Sequence, residues 1–137
     1  MNTKRWLLAS LAAFVVVFVL DGLVHGWLLR GLYEQTASVW RPQHVAGQLM
    51  WLMTLGQALF ALAFAWFYTK GHESKKPGLG QGLRFGWCAG LLLVGAHNFV
   101  WYVVLPVPFV LNVGWLASAL ADCLAAGAAV GLIYRKP

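Results

Sequence analysis

Acid is what this chain has least of. Among 137 residues there are four acidic side chains, Asp21, Glu34, Glu73 and Asp122, and charged residues of both signs make up only 10%. Soluble domains carry about 25% charged residues, so the composition excludes an ordinary soluble fold. Cysteine is also scarce. Cys88 and Cys123 stand apart, in no CxxC or metal-ligand spacing, and both fall in apolar runs. No disulfide framework follows from them, and they read as small buried hydrophobes. A phosphate-binding glycine loop is lacking too. The "GLGQG" at 78–82 follows no strand and matches neither GxGxxG nor GxxxxGK[ST]. The surrounding "KGHESKKPGLGQGLR" (70–84) reads as a flexible linker. Nor does any nucleophile–base–orienter set appear, which weighs against an enzyme. An enzyme acting on lipid headgroups would have only His44, Glu34 and Arg41 to draw on.

What the chain has in abundance is apolar length. It is 61% hydrophobic, with a mean hydropathy of +0.69. A helix needs about 20 mainly apolar residues to cross a bilayer core. Four such segments occur, at roughly 6–29, 45–68, 85–105 and 109–134. The expected fold is all-α: a single-domain polytopic membrane protein, 1–137, with four transmembrane helices in an antiparallel bundle. The first span has a basic start but no small-x-small cleavage site, and its apolar character runs on to Leu29. It therefore reads as a span and not as a signal peptide. The "LPVPF" at 105–109 is a very short turn, which makes spans three and four a hairpin. "GLYEQTASVWRPQH" (31–44) is expected along the outer surface, with a short interfacial helix. The two hairpins do not align at their polar residues, so an inverted repeat is not expected.

Charge sets the expected orientation. Lys4, Arg5, Lys70, Lys75, Lys76, Arg84, Arg135 and Lys136 fall on one side of the spans, against Arg30 and Arg41 on the other. The positive-inside rule then puts both termini in the cytoplasm. The net charge of +6 lies between apolar runs and forms no patch for nucleic acid. Anionic lipid headgroups on the cytoplasmic side are its expected partner.

Inside the spans lies a polar layer. Asp21 falls about 5 Å outward of the midplane of span one, Gln57 and Asp122 near the midplanes of spans two and four, and His97 about 3 Å outward in span three. Asn98 is beside His97. His25 lies one turn outward of Asp21 on the same face. Tyr102, Asn112 and Gln48 continue the polar character outward, so the expected shape is a polar vestibule facing the outside. Gly22/Gly26, Gly86/Gly90 and Gly127/Gly131 are GxxxG pairs that let helices approach, joined by Ala61/Ala65 and the stripe Gly114, Ser118, Asp122, Ala126. Asp21, His25, Gln57, His97, Asn98 and Asp122 are therefore the candidate proton, cation or ligand site. Three readings compete: hydrogen-bonded glue that fixes helix register, a proton or cation site, and a metal or haem site through His25 and His97. The last is awkward, because the two histidines lie about 8 Å apart along the axis. No motif names a cofactor or a catalytic residue.

Several phrases carry a resemblance: "LVHGWLL" (23–29), "LYEQTASVWRP" (32–42), "GLRFGWCAGLLL" (82–93), "LPVPFVL" (105–111) and "GLIYRK" (131–136). Together they resemble small four-helix bacterial inner-membrane proteins of unassigned activity. The resemblance implies the topology and a bacterial inner membrane, and brings no catalytic residues. The small multidrug resistance transporters share the size and span count, but they place a glutamate in the first span, where this chain has Asp21. Mercury-import proteins need paired intramembrane cysteines, which this chain lacks. Two functions stay open. One is a small proton, cation or solute binding or transport protein, working as a homo-oligomer. The other is an accessory or assembly subunit of a larger membrane complex, suggested by the missing soluble domain and the eight tryptophans.

Overall fold

A computed structural model describes residues 2–134, and these are helical with short connections. Arg135 and Lys136, which entered the charge count, lie outside the described residues. The first helix, α1 (Thr3–Leu23), continues through a π-helical turn (Val24–Leu28). A short α2 (Arg30–Gln35) and a 3₁₀ turn (Ala37–Val39) come next. Then come α3 (Gln43–Gly71) and α4 (Gly78–Gly90), a second π-helical turn (Leu91–Gly95), α5 (Ala96–Val104) and α6 (Phe109–Ile133). Four helices are long and apolar enough to cross a membrane: Thr3–Leu28, Gln43–Gly71, Gly78–Val104 and Phe109–Ile133. The shortest has 25 residues. At about 1.5 Å per residue even that one exceeds a hydrocarbon core of about 30 Å.

Proline and asparagine set the helix starts. Pro42, Pro77 and Pro108 immediately precede α3, α4 and α6, with φ of −50°, −57° and −60°. A proline ring holds φ near helical values and pushes the residue before it into extended backbone, so each proline separates one element from the next. At α1, the Asn2 side chain accepts from the Arg5 amide at 3.1 Å and caps the first turn.

Packing centres on α6, which lies against α4 on one side and α1 on the other, while α1 also meets α3. The α4–α6 contact is backbone to backbone. Gly78 lies on Gly131, Gly82 on Gly127, and Gly86 on Cys123, so numbers rise along α4 as they fall along α6. A Cβ placed at Gly82 would strike the Gly127 carbonyl oxygen, and one at Gly78 the Gly131 carbonyl oxygen. Small residues permit this approach where lipid gives no hydrophobic push between helices. Ala9, Ala13, Ala61, Ala65, Phe64 and Ala126 fill the core at the same end of the molecule. At the opposite end Leu29, Val107 and Leu111 form a second, smaller core.

Two sequence expectations change here. The 70–84 segment is not a flexible linker throughout: helix runs to Gly71 and resumes at Gly78. Between them, the buried Gln81 side chain clamps the connection. Its Oε1 accepts from the Glu73 amide at 2.8 Å, and its Nε2 donates to the Glu73 and Lys76 carbonyls at 2.9 Å each. Lys76 at 2.6 Å holds the exposed Glu73 carboxyl below its ordinary pKa, with a smaller contribution from Arg84. The other change concerns Gly22 and Gly26. A Cβ at either would meet nothing within 4 Å, so this pair is not a helix contact.

The two kinds of glycine make a test. Gly82→Ala must displace the backbone of α6, and overpacking of this kind costs about 1–3 kcal/mol. Gly22→Ala has open space and removes a poor helix former, so it is expected to leave stability unchanged or slightly raised. Thermal unfolding in mild detergent should therefore show a lowered midpoint for Gly82→Ala only.

A carboxyl pair and its outward polar chain

Three spans bring polar side chains together. Near the end of α1, Asp21 Oδ2 accepts from Gln57 Nε2 of α3 at 2.5 Å. From α6, the Asp122 carboxyl stands within side-chain hydrogen-bonding reach of Asp21. The α1–α6 register is what puts them there. Eight residues further along the chain, just past the first π-helical turn, Leu29 packs on Gly114, which is eight residues back along α6 from Asp122. Two carboxyls bond directly only when one proton lies between them, since an ionised carboxylate can only accept. Asp122 is 8% exposed, and apart from the Asp21 carboxyl no group hydrogen-bonds its buried Oδ1. The Asp122 residue lines a cavity of about 420 Å³ bounded also by Asp21, Gln57, Phe60, Leu93 and Val94.

A second set of polar groups runs from Asp21 toward the end of the molecule that holds Leu29 and Leu111. His25 lies in the first π-helical turn, and its Nε2 is 3.6 Å from Asp21 Oδ1. Its Nδ1 is 2.6 Å from the Tyr33 hydroxyl, which also receives the Trp115 indole N–H at 2.7 Å. An indole nitrogen can only donate. The Tyr33 oxygen therefore accepts from Trp115. When Tyr33 gives its proton to His25 Nδ1, the neutral imidazole carries its own proton on Nε2, facing Asp21. Burial pushes the Tyr33 phenol above its ordinary pKa; the Trp115 hydrogen bond opposes this and the Asp21 charge adds to it. Trp40 closes the far end of this set, edge-on to both Tyr33 and Trp115, with its Nε1 donating to Thr36 Oγ1 at 2.9 Å.

Of the residues singled out from the sequence, the structure brings Asp21, His25, Gln57 and Asp122 together. His97 is exposed on α5, away from them. Asn98 is buried and donates to the Asn112 carbonyl at 3.0 Å, joining α5 to α6 outside the cavity. Leu93 and Val94 hold the place in the third span where His97 was expected. The physical reason is the second π-helical turn, whose inserted residue rotates α5 relative to α4. Tyr102 stacks edge-on against Phe109, and Gln48 is exposed. Tyr33, Trp115, Trp40 and Thr36 were not among the candidates. The interfacial segment was expected, but nothing in its spacing says that it folds back onto α6. Among the described residues, no group of three or more His, Cys, Asp or Glu side chains is placed to hold a metal ion.

Tyr33→Phe tests the chain of hydrogen bonds. It leaves Trp115 Nε1 without its acceptor and His25 Nδ1 without its donor, a loss of about 1–3 kcal/mol in stability. Nitrogen-15 NMR of labelled histidine should change from a single Nε2–H tautomer to a mixture. The same variant removes a pH dependence. A raised phenol pKa contributes stability that is fully present below the ordinary value of 10.0 and is lost as pH rises from there through the raised value. Wild-type unfolding midpoints should fall over that alkaline range, and those of Tyr33→Phe should fall less.

No protein-family model matches this chain, and no curated protein or solved structure matches it either.

Proposed function

We propose that this protein binds a proton or cation at the Asp21–Asp122 pair and exchanges it across a membrane. In this reading the four spans form an antiparallel bundle in a bacterial inner membrane, with both termini cytoplasmic. The distribution of basic residues supports that orientation. The observation that carries the function is the buried Asp122 carboxyl, held beside a second carboxyl at an open cavity. A solute with positive charge would compensate the pair and release the proton shared between the two carboxyls.

The hydrogen-bond directions favour delivery of a proton from the outer end. Tyr33 gives its proton to His25 Nδ1, His25 gives its Nε2 proton to Asp21, and a hydronium ion at the outer end restores the proton on Tyr33 and leaves as water. The charge balances, and imidazole returns to neutral with its proton on Nδ1. The 3.6 Å gap between Nε2 and Oδ1 must shorten to about 2.7–2.9 Å for the second transfer. A small rotation of His25 in its π turn would close it. Delivery of the proton to the carboxyl pair then displaces the bound cation.

Proteoliposomes give the test. Proton flux coupled to a cation gradient should fall to the protein-free background in Asp21→Asn and in Asp122→Asn. It should slow without vanishing in Tyr33→Phe. Flux unchanged in both asparagine variants removes the assignment.

One observation favours the other reading, a subunit that packs in a larger assembly. His97 is exposed within a span, and an ionisable side chain facing lipid costs about 2.5–3.5 kcal/mol for the charged residues measured. A neighbouring helix with a hydrogen-bonding group would cover it. Native mass spectrometry after gentle extraction should then show a complex, and His97→Leu should leave its stoichiometry intact only if that contact is unimportant.

A further inference from the structure

The carboxyl cavity adjoins another hollow. It shares Phe60 and Leu93 with a second hollow of about 420 Å³ between α3 and α4. Phe64 and Phe67 form one wall of this hollow, Phe85 and Cys88 the other. Across it the helices meet mainly through rings, with the Phe64 and Phe85 centroids 4.7 Å apart. Its mouth is flanked by Phe67 and Leu92, 58% and 80% exposed, which in a spanning bundle face acyl chains. Each hollow falls within the range of about 300–1,000 Å³ typical of small-molecule sites.

Resting on the proposed carboxyl-pair function, we infer that the two adjoining hollows together serve as one site for a lipophilic organic cation, entered from the bilayer between α3 and α4. The chemistry at the two ends selects this occupant. The inner end holds two carboxyls and no basic side chain, and the Gln57 amide is already committed to Asp21. The outer end is aromatic, and aromatic faces attract cations. An acyl chain would fill the groove and bring no positive charge to the carboxyl pair. An anionic headgroup would meet like charge. A hydrated inorganic ion would gain nothing from the ring-lined groove. Only a molecule with positive charge on an apolar frame satisfies both ends.

Two probes of matched shape and opposite charge test this: tetraphenylphosphonium and tetraphenylborate. Binding is measured by equilibrium dialysis against the full chain in nanodiscs of zwitterionic lipid. Tetraphenylphosphonium is expected to bind saturably and tetraphenylborate not. Asp122→Asn should weaken phosphonium binding by about tenfold or more, the usual scale for loss of a buried charge partner. Ala63→Trp, which fills the groove from α3, should weaken it similarly. Cys88→Phe fills the groove from α4 and serves if Ala63→Trp fails to give a monodisperse protein. Equal binding of the two probes overturns the inference, because the groove is then only an apolar trap. Loss of binding in Asp122→Asn with full binding in both groove-filling variants also overturns it, while the carboxyl site stands. Absent phosphonium binding alongside intact, Asp122-dependent proton flux would defeat this inference and leave the proposed function in place.

Discussion

Lipid supplies no hydrophobic force between helices, so a bundle within it depends on how closely backbones can approach. Here that condition is met at one seam. Gly78, Gly82 and Gly86 of α4 press on Gly131, Gly127 and Cys123 of α6 with no room for a methyl group. With one face of α6 fixed in this way, its other face carries Gly114, Ser118 and Asp122 to α1. The position of Asp122 is thus a consequence of glycine spacing on a different helix. The site inherits its register from a contact that contains none of its residues.

Magnitudes bear on whether the carboxyl pair is merely glue. An ionisable side chain costs about 2.5–3.5 kcal/mol within a span. A hydrogen bond between membrane helices returns about 0.6 kcal/mol on average and about 1.7 at most. Two aspartates with one strong bond to Gln57 therefore cost more than they return, and a pair of neutral amides would fix the same register more cheaply. This favours a binding role for the pair. It applies less to His25 and Tyr33, whose hydrogen bonds lie near the end of the first span.

Much of this was legible in the sequence, and the rest failed for identifiable reasons. Apolar run length found all four spans, because a bilayer imposes a length that no local preference can override. Intramembrane cost pointed to Asp21 and Asp122, and depth along a helix put Gln57 beside them. The start of the third span was missed by seven residues, since glycine reads as a linker when counted and as a packing stripe only when its spacing of four is traced from Gly78 to Gly90. The rule that glycine pairs mark contacts then misled at Gly22 and Gly26. Spacing does not say whether a partner is present. Depth along the third span puts His97 in the layer, but the π turn at Leu91–Gly95 changes the face that α5 presents, and His97 is exposed. Tyr33 and Trp115, 82 residues apart, meet only through the tertiary fold.

The two π-helical turns share a position that matters for any exchange mechanism. One holds His25, and the other supplies Leu93 and Val94 to the cavity wall. A π turn weakens the regular ladder and re-aims side chains, so both walls nearest the carboxyls have backbone that can adjust. The α4–α6 seam cannot adjust in this way, because carbonyl oxygens already occupy the space a shift would need. Movement is therefore cheapest where α1 and α3 meet the fixed α4–α6 pair through side chains. That boundary contains the Asp21–Asp122 contact and adjoins the phenylalanine-lined groove. Opening it would separate the carboxyls, change which of them holds the proton, and widen the lateral entrance in one motion. Coupling between protonation and access then requires no distant switch, since both depend on the same helix boundary.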